Sequence, residues 1–133
     1  MSPVSAIALS GMKAALQRFD AAANNIANVR SYGPLPSAAA TNYPPAYTPV
    51  DVVQMSVPGG GVVSRVINSP RGPVAYYDPG APYADANGMI AAPDIDLASE
   101  MVNLITAELD FAANLMVLRA ESDMMASLFD IKA

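Results

Sequence analysis

The sequence contains no cysteine and no histidine among its 133 residues. Without thiols or imidazoles, disulfide bonds and the usual zinc sites are excluded, and an enzyme would depend on carboxylate, Lys, Tyr or Ser groups. The acidic side chains are spread along a helical pattern without visible pairing, which is typical of a solvated or interfacial face. We therefore expect a protein that is not an enzyme, with no catalytic residues, no bound metal and no cofactor.

Tryptophan is also absent, and aromatic residues make up only 7% of a sequence that is 53% hydrophobic and includes eight methionines. Such a composition predicts an aliphatic, adaptable core without large ring anchors. The length fits one domain of ordinary size. No uninterrupted run of eighteen apolar residues occurs, so we predict no transmembrane segment.

Basic residues are few, seven against twelve acidic ones, for a formal net charge of −5. This balance argues against nucleic acid as a partner. Residues 1–30 contain three basic groups and one acidic group, whereas residues 94–133 contain eight acidic groups and two basic ones. The opposite signs favour pairing of the two ends, within a subunit or between subunits; the alternative is two solvated faces.

Proline and glycine are missing from residues 94–133, the longest periodic stretch of the chain. Large apolar residues recur there in steps of three and four, which is the spacing of a coiled-coil seam, interrupted only at Glu108 and Ser122. Both flanks of this helix are apolar too, so we expect more than one neighbour to cover it and predict an intersubunit interface. The seam residues are Leu97, Met101, Leu104, Phe111, Leu115, Leu118, Met125 and Phe129.

The N-terminal residues predict a second helix with the same period. Ser2 is placed to cap it and Pro3 to occupy its first position. We expect it to end near Asn28, before a turn at residues 32–34 in which Gly33 is available for a left-handed conformation. The apolar positions continue in register well beyond residue 12, so the segment is interpreted as mature helix and not as a cleaved signal peptide. Its seam residues are Leu9, Met12, Leu16, Phe19, Ala23 and Ile26.

Eleven of the twelve prolines lie between residues 33 and 93, so a long helix is excluded there. Residues 47–57 and 61–67 are predicted strands joined by a triple glycine, residues 34–49 are a predicted loop, and Asn87-Gly88 predicts a tight hairpin turn with positive φ at Asn87. Asp94 or Asp96 is expected to cap the last helix. The predicted fold is mainly α with a small β and loop middle. Helices in 1–30 and 94–133 pair as a coiled coil, and residues 31–93 between them in the sequence form a proline-rich segment with a β-hairpin.

Two motifs resemble one known family. Residues 22–28, Ala-Ala-Asn-Asn-Ile-Ala-Asn, resemble the Asn-rich signature found early in bacterial flagellar axial proteins, the family of rod, hook and hook-associated subunits. Residues 77–88, Tyr-Asp-Pro-Gly-Ala-Pro-Tyr-Ala-Asp-Ala-Asn-Gly, followed by Pro93 and by Glu-Met-Val-Asn at 100–103, resemble the corresponding region of its proximal rod members. The motif residues are Asn24, Asn25, Asn28, Asp78, Pro79, Gly80, Asp85, Asn87 and Gly88.

This resemblance implies a structural subunit of the flagellar basal-body rod, a drive shaft that transmits torque and encloses an export channel. The implied partners are copies of the same chain, other rod subunits, the rod-to-ring junction protein and basal-body ring components. The implied location is the rod in the periplasm, reached by type III export without a cleaved signal peptide. The sequence departs from the family at residues 108–114, where Glu-Leu-Asp-Phe-Ala-Ala-Asn replaces the commoner Ser-Arg-Ser-Tyr-x-Ala-Asn.

The alternative from another class is a small acidic chaperone or adaptor of a type III secretion system, which would share the size, acidity and helices. Such chaperones fold as compact α/β or helical dimers. The proline-rich centre and the restriction of heptads to the two ends argue against this alternative.

Overall fold

The computed structural model describes residues 2–37 and 42–131. The outer ends of the predicted terminal segments, 1–30 and 94–133, and part of the predicted loop of residues 34–49 lie outside the described residues. Two long helices pack against each other, and two two-stranded antiparallel sheets lie between them in the sequence. The mainly helical fold with a small β middle is therefore confirmed. Its elements are α1 (Pro3–Ala27), β1 (Val50–Ser56), β2 (Val62–Asn68), β3 (Val74–Tyr77), β4 (Met89–Ala92) and α2 (Leu97–Ile131).

The ends of α1 are set by the residues that the sequence predicts. The Ser2 hydroxyl accepts the backbone N–H of Ser5 at 3.2 Å, and Pro3 occupies the first turn, where a missing N–H costs nothing. At the other end, Asn28 is the C-cap, and its backbone N–H bonds to the carbonyl of Asn24 at 3.1 Å. The predicted bounds of this helix are confirmed.

Asp96, and not Asp94, caps the start of α2. Its Oδ1 accepts the backbone N–H of Ala98 at 3.0 Å, and its Oδ2 accepts the hydroxyl of Ser99 at 2.7 Å. These bonds favour the ionised carboxylate, and they lower the pKa of Asp96, the Ser99 bond contributing most. The negative charge also lies at the positive end of the helix dipole.

The helices pack most closely through small side chains. Ala8, Ala15 and Ala22, seven residues apart on α1, are buried. A Cβ added to Gly11 would overlap the side-chain amide of Asn114 on α2, so Asn114 packs directly against the backbone of α1 at this glycine. The row of large apolar residues that the sequence singles out is therefore not the row along which the helices meet most tightly.

By length and composition alone, the 35-residue α2 is apolar enough to cross a membrane, and few of its residues are buried. This differs from the expectation drawn from uninterrupted apolar runs. A helix that protein neighbours cover passes the same test. In the described chain, most of the apolar surface of α2 is exposed.

The first β-hairpin is predicted correctly. β1 and β2 pair in antiparallel register from Val50 opposite Asn68 to Ser56 opposite Val62. The connecting glycines 59–61 all have positive φ, at 94°, 101° and 90°, a region that residues with a side chain rarely adopt. The triple glycine therefore makes the turn possible.

This hairpin lies along α1 and is attached to it at intervals. Near the C-terminal end of α1, Asn25 bonds to both backbone polar groups of Val50. Near the N-terminal end, Ser10 accepts the backbone N–H of Val62 at 3.1 Å, and Gln17 and Ser64 form a hydrogen bond between these points. Both strands of the hairpin and α2 thus contact α1.

The second hairpin differs from the predicted tight Asn-Gly turn. β3 and β4 are joined by residues 78–88, and no non-glycine residue of the described ranges has a positive φ, so the expectation for Asn87 is wrong. Within residues 78–88 only Gly88 has a positive φ, at 74°. The carboxylate of Asp85 accepts the backbone N–H groups of Asn87 and Met89, both at 2.8 Å, and this side chain organises the turn that the Asn-Gly pair was expected to make.

Gly33 also serves a purpose other than the predicted one. Its φ is not positive; instead it forms a β-bridge with Ala91, with backbone hydrogen bonds of 3.0 and 2.8 Å. A Cβ at this position would overlap the backbone nitrogen of Ala46. Glycine is required here because two chain segments come too close for any side chain.

Candidate functional site

The ends of α1, α2 and β1 meet at one buried amide. Asn25 is 1% exposed, and its Nδ2 donates to Oε1 of Glu100 and to the carbonyl of Val50, both at 2.9 Å. Its Oδ1 accepts the backbone N–H of Val50 at 2.9 Å and the hydroxyl of Tyr47 at 3.2 Å. All of the hydrogen-bonding capacity of the amide is used. We call these four residues the polar node.

Glu100 is the acidic member of the polar node and is only 7% exposed. Its second oxygen accepts Nδ2 of Asn103 at 3.3 Å, so both carboxylate oxygens have a donor, and hydrogen bonds offset the cost of burying the group. Burial, and secondarily the negative charge of Glu100, raise the pKa of Tyr47. Tyr47 therefore remains a neutral hydrogen-bond donor to Asn25.

Two further polar contacts join the helices away from the polar node. Arg18 forms a salt bridge with Asp110 near the middle of the pair. At the start of α1, Glu121 accepts the hydroxyl of Ser5 at 2.6 Å and that of Ser2. The bond from Ser2, and next that from Ser5, lower the pKa of the Glu121 carboxyl. The predicted pairing of basic N-terminal with acidic C-terminal residues is thus observed within the chain, at Arg18.

The side of α2 that faces α1 is polar or small. Glu100, Ala107, Asn114 and Glu121 follow one another at intervals of seven residues, and each lies at or near the contact with α1. A search for large apolar residues misses this row. The signal that would have identified it is the matching seven-residue repeat of alanine at positions 8, 15 and 22.

Six of the predicted interface residues stay exposed in the single chain, with Phe129 at 74%. The others are half-buried beside the alanine contact. The single chain therefore buries the predicted seam only in part, although Leu16 and Phe19 of α1 do meet Phe111 of α2 around one small pocket. The exposed six are Leu16, Phe19, Leu97, Met101, Met125 and Phe129; the half-buried seven are Leu9, Met12, Ile26, Leu104, Phe111, Leu115 and Leu118.

Other large apolar side chains of α2 are exposed beside them, among them Val102, Ile105, Leu109 and Met116, which form the two flanks. A monomeric soluble protein rarely exposes a continuous apolar surface of this kind, and where it does, the surface marks an interaction site. The candidate functional surface is therefore the outward side of the helix pair.

The three residues of the Asn-rich motif differ in burial: Asn25 is buried, Asn28 half-buried and Asn24 exposed. Asn24 and Asn28 donate to the carbonyls of Asp20 and Asn24 at 2.8 and 2.9 Å, and Asn28 accepts the hydroxyl of Ser31 at 3.0 Å. Asn25 alone reaches other elements. In the second motif, Asp78 accepts the backbone N–H of Gly80 at 3.2 Å, which places these residues in a turn and away from the helix contact.

Comparison with known proteins identifies the family. The family model described as the C-terminal region of flagellar basal body rod FlgEFG proteins matches residues 86–131. The chain is 35% identical over 119 residues to the flagellar basal-body rod protein FlgC of Salmonella typhimurium, covering 90% of this chain and 88% of that protein. The chain belongs to the FlgC family of flagellar basal-body rod proteins. The FlgC protein of Agrobacterium fabrum is 31% identical over 142 residues, covering 98% of this chain and 94% of that protein.

Membership of the FlgC family confirms the resemblance inferred from the two motifs and makes the chain a structural subunit of the flagellar basal-body rod. The chaperone alternative finds no support in these matches. The family model spans β4 and α2 together, the part of the chain that contains Glu100 and most of the exposed apolar surface.

Proposed function

We propose that this FlgC-family subunit polymerises through the outward faces of α1 and α2, and that the resulting shaft transmits torque and encloses an export channel. The observation that supports this most directly is the exposure of large apolar side chains along α2, while the contacts of α2 with α1 include the polar residues Glu100 and Glu121. Polar contacts are used inside the subunit. The hydrophobic surface is left for neighbours, whose association would be driven by its burial.

Copies of the same chain and other rod subunits are the proposed neighbours on these faces. Contacts that join different surfaces of successive subunits generate helical arrays when the rotation does not close, which is the symmetry a shaft requires. The segment 31–93 would then lie outside an inner domain formed by 1–30 and 94–133. From that position it would contact the rod-to-ring junction protein and ring components in the periplasm.

Type III export without a cleaved signal peptide is the proposed route to this location. The tight contact of α1 and α2 relies on alanine, glycine and polar groups. Such a contact buries little apolar area, so separating the helices for passage in an extended state would cost less than separating a leucine seam. We assign the subunit no catalytic role.

The assembly surface is tested by comparing two equally exposed methionines. Met101 lies on α2 at 55% exposure, and Met55 lies on β1 at 62%. Met101→Glu should abolish rod assembly and swimming, because a charge would be buried without a partner between subunits. Met55→Glu is the matched control, with the same change of side chain at a similar exposure outside the helices.

The measurements are swimming in soft agar and recovery of rods from cells whose own copy of the gene is deleted. Circular dichroism of the purified variants checks that both remain folded, as expected for substitutions at exposed positions. Normal rods with Met101→Glu, together with normal rods for Phe129→Glu, would refute the proposed surface.

A further inference from the structure

We propose that Asn25 and Glu100 select the register in which α1 packs on α2. Their hydrogen bond joins the helices at a buried position, and Asn25 also bonds to β1 through Val50. This proposal concerns the fold of one subunit. It goes beyond the proposed assembly and can be tested on purified monomer, so that either proposal can fail without the other.

The alanine contact alone does not define one register. Ala8, Ala15 and Ala22 recur every seven residues, so sliding α1 along α2 by seven residues returns an alanine to two of the three places. Such a slip moves the helices by about 10 Å. Side chains of one size at a repeating interval pack about equally well in each register, and another feature must discriminate between them.

The salt bridge between the helices does not discriminate strongly either. Asn25 lies opposite Glu100 and Gly11 opposite Asn114, which defines the observed register. A slip of seven residues in one direction would replace Asp110 by Glu100 as the acidic neighbour of Arg18. The charge pairing would then be kept, although the register is wrong.

The polar node differs from the alanine contact and from the salt bridge because the hydrogen-bond partner of Asn25 on α2 does not recur at the positions that a slip would bring beside it. The two possible slips would place Asn25 beside Ala107 or beside Pro93, and neither side chain offers a hydrogen-bond partner. The buried amide would lose Glu100 in either case. A single buried asparagine is known to specify the register of helix pairs for this reason.

The hairpin makes this selection stricter. Val50 bonds to Asn25 through both its N–H and its carbonyl, and Tyr47 donates to the same amide oxygen. The amide is therefore held by α1's own neighbour β1 in the orientation that points Nδ2 at Glu100. The register of the helices and the position of the hairpin are set together.

Spin labels measure the register directly, since the chain has no cysteine of its own. Asp20→Cys on α1 and Ala126→Cys on α2 are exposed positions whose labels would be separated along the helix axes by about 30 Å in the observed register. A slip of seven residues lengthens or shortens this separation by about 10 Å. Pulsed electron resonance of the doubly labelled monomer resolves such a change.

We expect one narrow distance in the otherwise unchanged protein and a broad or double distribution, displaced by about 10 Å, in Asn25→Leu. Asn24→Leu is the matched control, because Asn24 is exposed and bonds only to the carbonyl of Asp20 in its own helix. It should leave the distance unchanged. A folded Asn25→Leu protein with the original narrow distance would overturn the proposal.

A charge exchange provides the second test, should Asn25→Leu lose its helical circular dichroism. Asn25→Asp places two carboxylates at the polar node and should broaden the distance distribution. Adding Glu100→Gln supplies an amide donor to the new carboxylate and should narrow the distribution again. Both variants lack the donor to the Val50 carbonyl, so the difference between them reports the pair at residues 25 and 100. A general effect on stability predicts no such rescue, and a double variant as broad as Asn25→Asp alone would count against the proposal.

Discussion

The amide nitrogen of Asn25 lies 2.9 Å from a carboxylate oxygen of Glu100, and both side chains are buried where the end of α1 meets the start of α2. Among the described contacts, Asn25 is the only buried side chain that donates to Glu100, and Glu100 is the only carboxylate that accepts from Asn25. This hydrogen bond joins two residues that are 75 positions apart in the sequence and connects the two helices.

Removing this amide should destabilise the subunit. Asn25→Ala leaves the carboxylate of Glu100 and the backbone groups of Val50 without their donor and acceptor, and we expect a loss of about 2–4 kcal/mol in the free energy of unfolding. Urea denaturation followed by circular dichroism measures it. Asn24→Ala, at the exposed neighbouring position, should change the value by less than about 0.5 kcal/mol. Equal losses of unfolding free energy in the two variants would mean that the polar node stabilises the subunit no more than an exposed asparagine does.

The close approach of the helices at Gly11 predicts coupling to Asn114. Alanine is favoured over glycine in a helix by about 1 kcal/mol, but its Cβ would collide with the Asn114 side chain. Gly11→Ala should therefore bring little gain in the natural background and the full gain of about 1 kcal/mol in Asn114→Ala. A double-mutant cycle of unfolding free energies measures the difference. The same gain in both backgrounds would show that the helices are farther apart.

The contact at Gly33 predicts a large effect of one methyl group. In Gly33→Ala the new Cβ would meet backbone atoms of Pro45 and Ala46, which cannot rotate away, and we expect a loss of about 1–3 kcal/mol. Gly72→Ala is the matched control, because a Cβ there meets open space. Thermal unfolding of both variants compares them. A Gly33→Ala protein as stable as the control would contradict the close packing described here.

The bonds to Glu121 predict a dependence of stability on acid. Its pKa is lowered in the folded state from the ordinary value of 4.5, so the ionised carboxyl stabilises the fold. This contribution is complete above pH 4.5 and is lost as the pH falls through the lower folded pKa. The difference in unfolding free energy between the natural protein and Glu121→Gln should shrink towards zero over that range.

Ser5→Ala gives the companion test of this pH effect. Removing one hydroxyl donor should raise the pKa of Glu121 towards its ordinary value and weaken the pH dependence without removing the carboxyl. A difference between the natural protein and Glu121→Gln that stays constant across the acidic range would exclude the assigned role of these hydrogen bonds.

Several elements follow from local sequence alone. Ser2 and Pro3 begin α1, Asp96 caps α2, and the three consecutive glycines turn the first hairpin, because each of these features depends on neighbouring residues only. The absence of proline and glycine after residue 93 likewise predicts an unbroken helix. The family could also be inferred from two short motifs, since they are contiguous in the chain.

Two local expectations were overruled for different reasons. The turn at Asn87 was mispredicted although its cause is local, because the carboxylate of Asp85, two residues earlier, bonds to the backbone there. Gly33 was mispredicted because its neighbour is Ala46, which is thirteen positions away and is brought close by the fold. The preference of a single glycine does not show a contact of that kind.

The sequence by itself determined that two heptad helices bracket a proline-rich middle, since helix period and helix-breaking residues are local properties. Only the tertiary structure decided which face of each helix turns inward. Large apolar residues recur on several sides of α2, and periodicity cannot rank them. The inward faces are those that carry the small residues at the helix contact and the buried hydrogen bond between Asn25 and Glu100. With these faces inward, many of the larger apolar side chains lie on the outside.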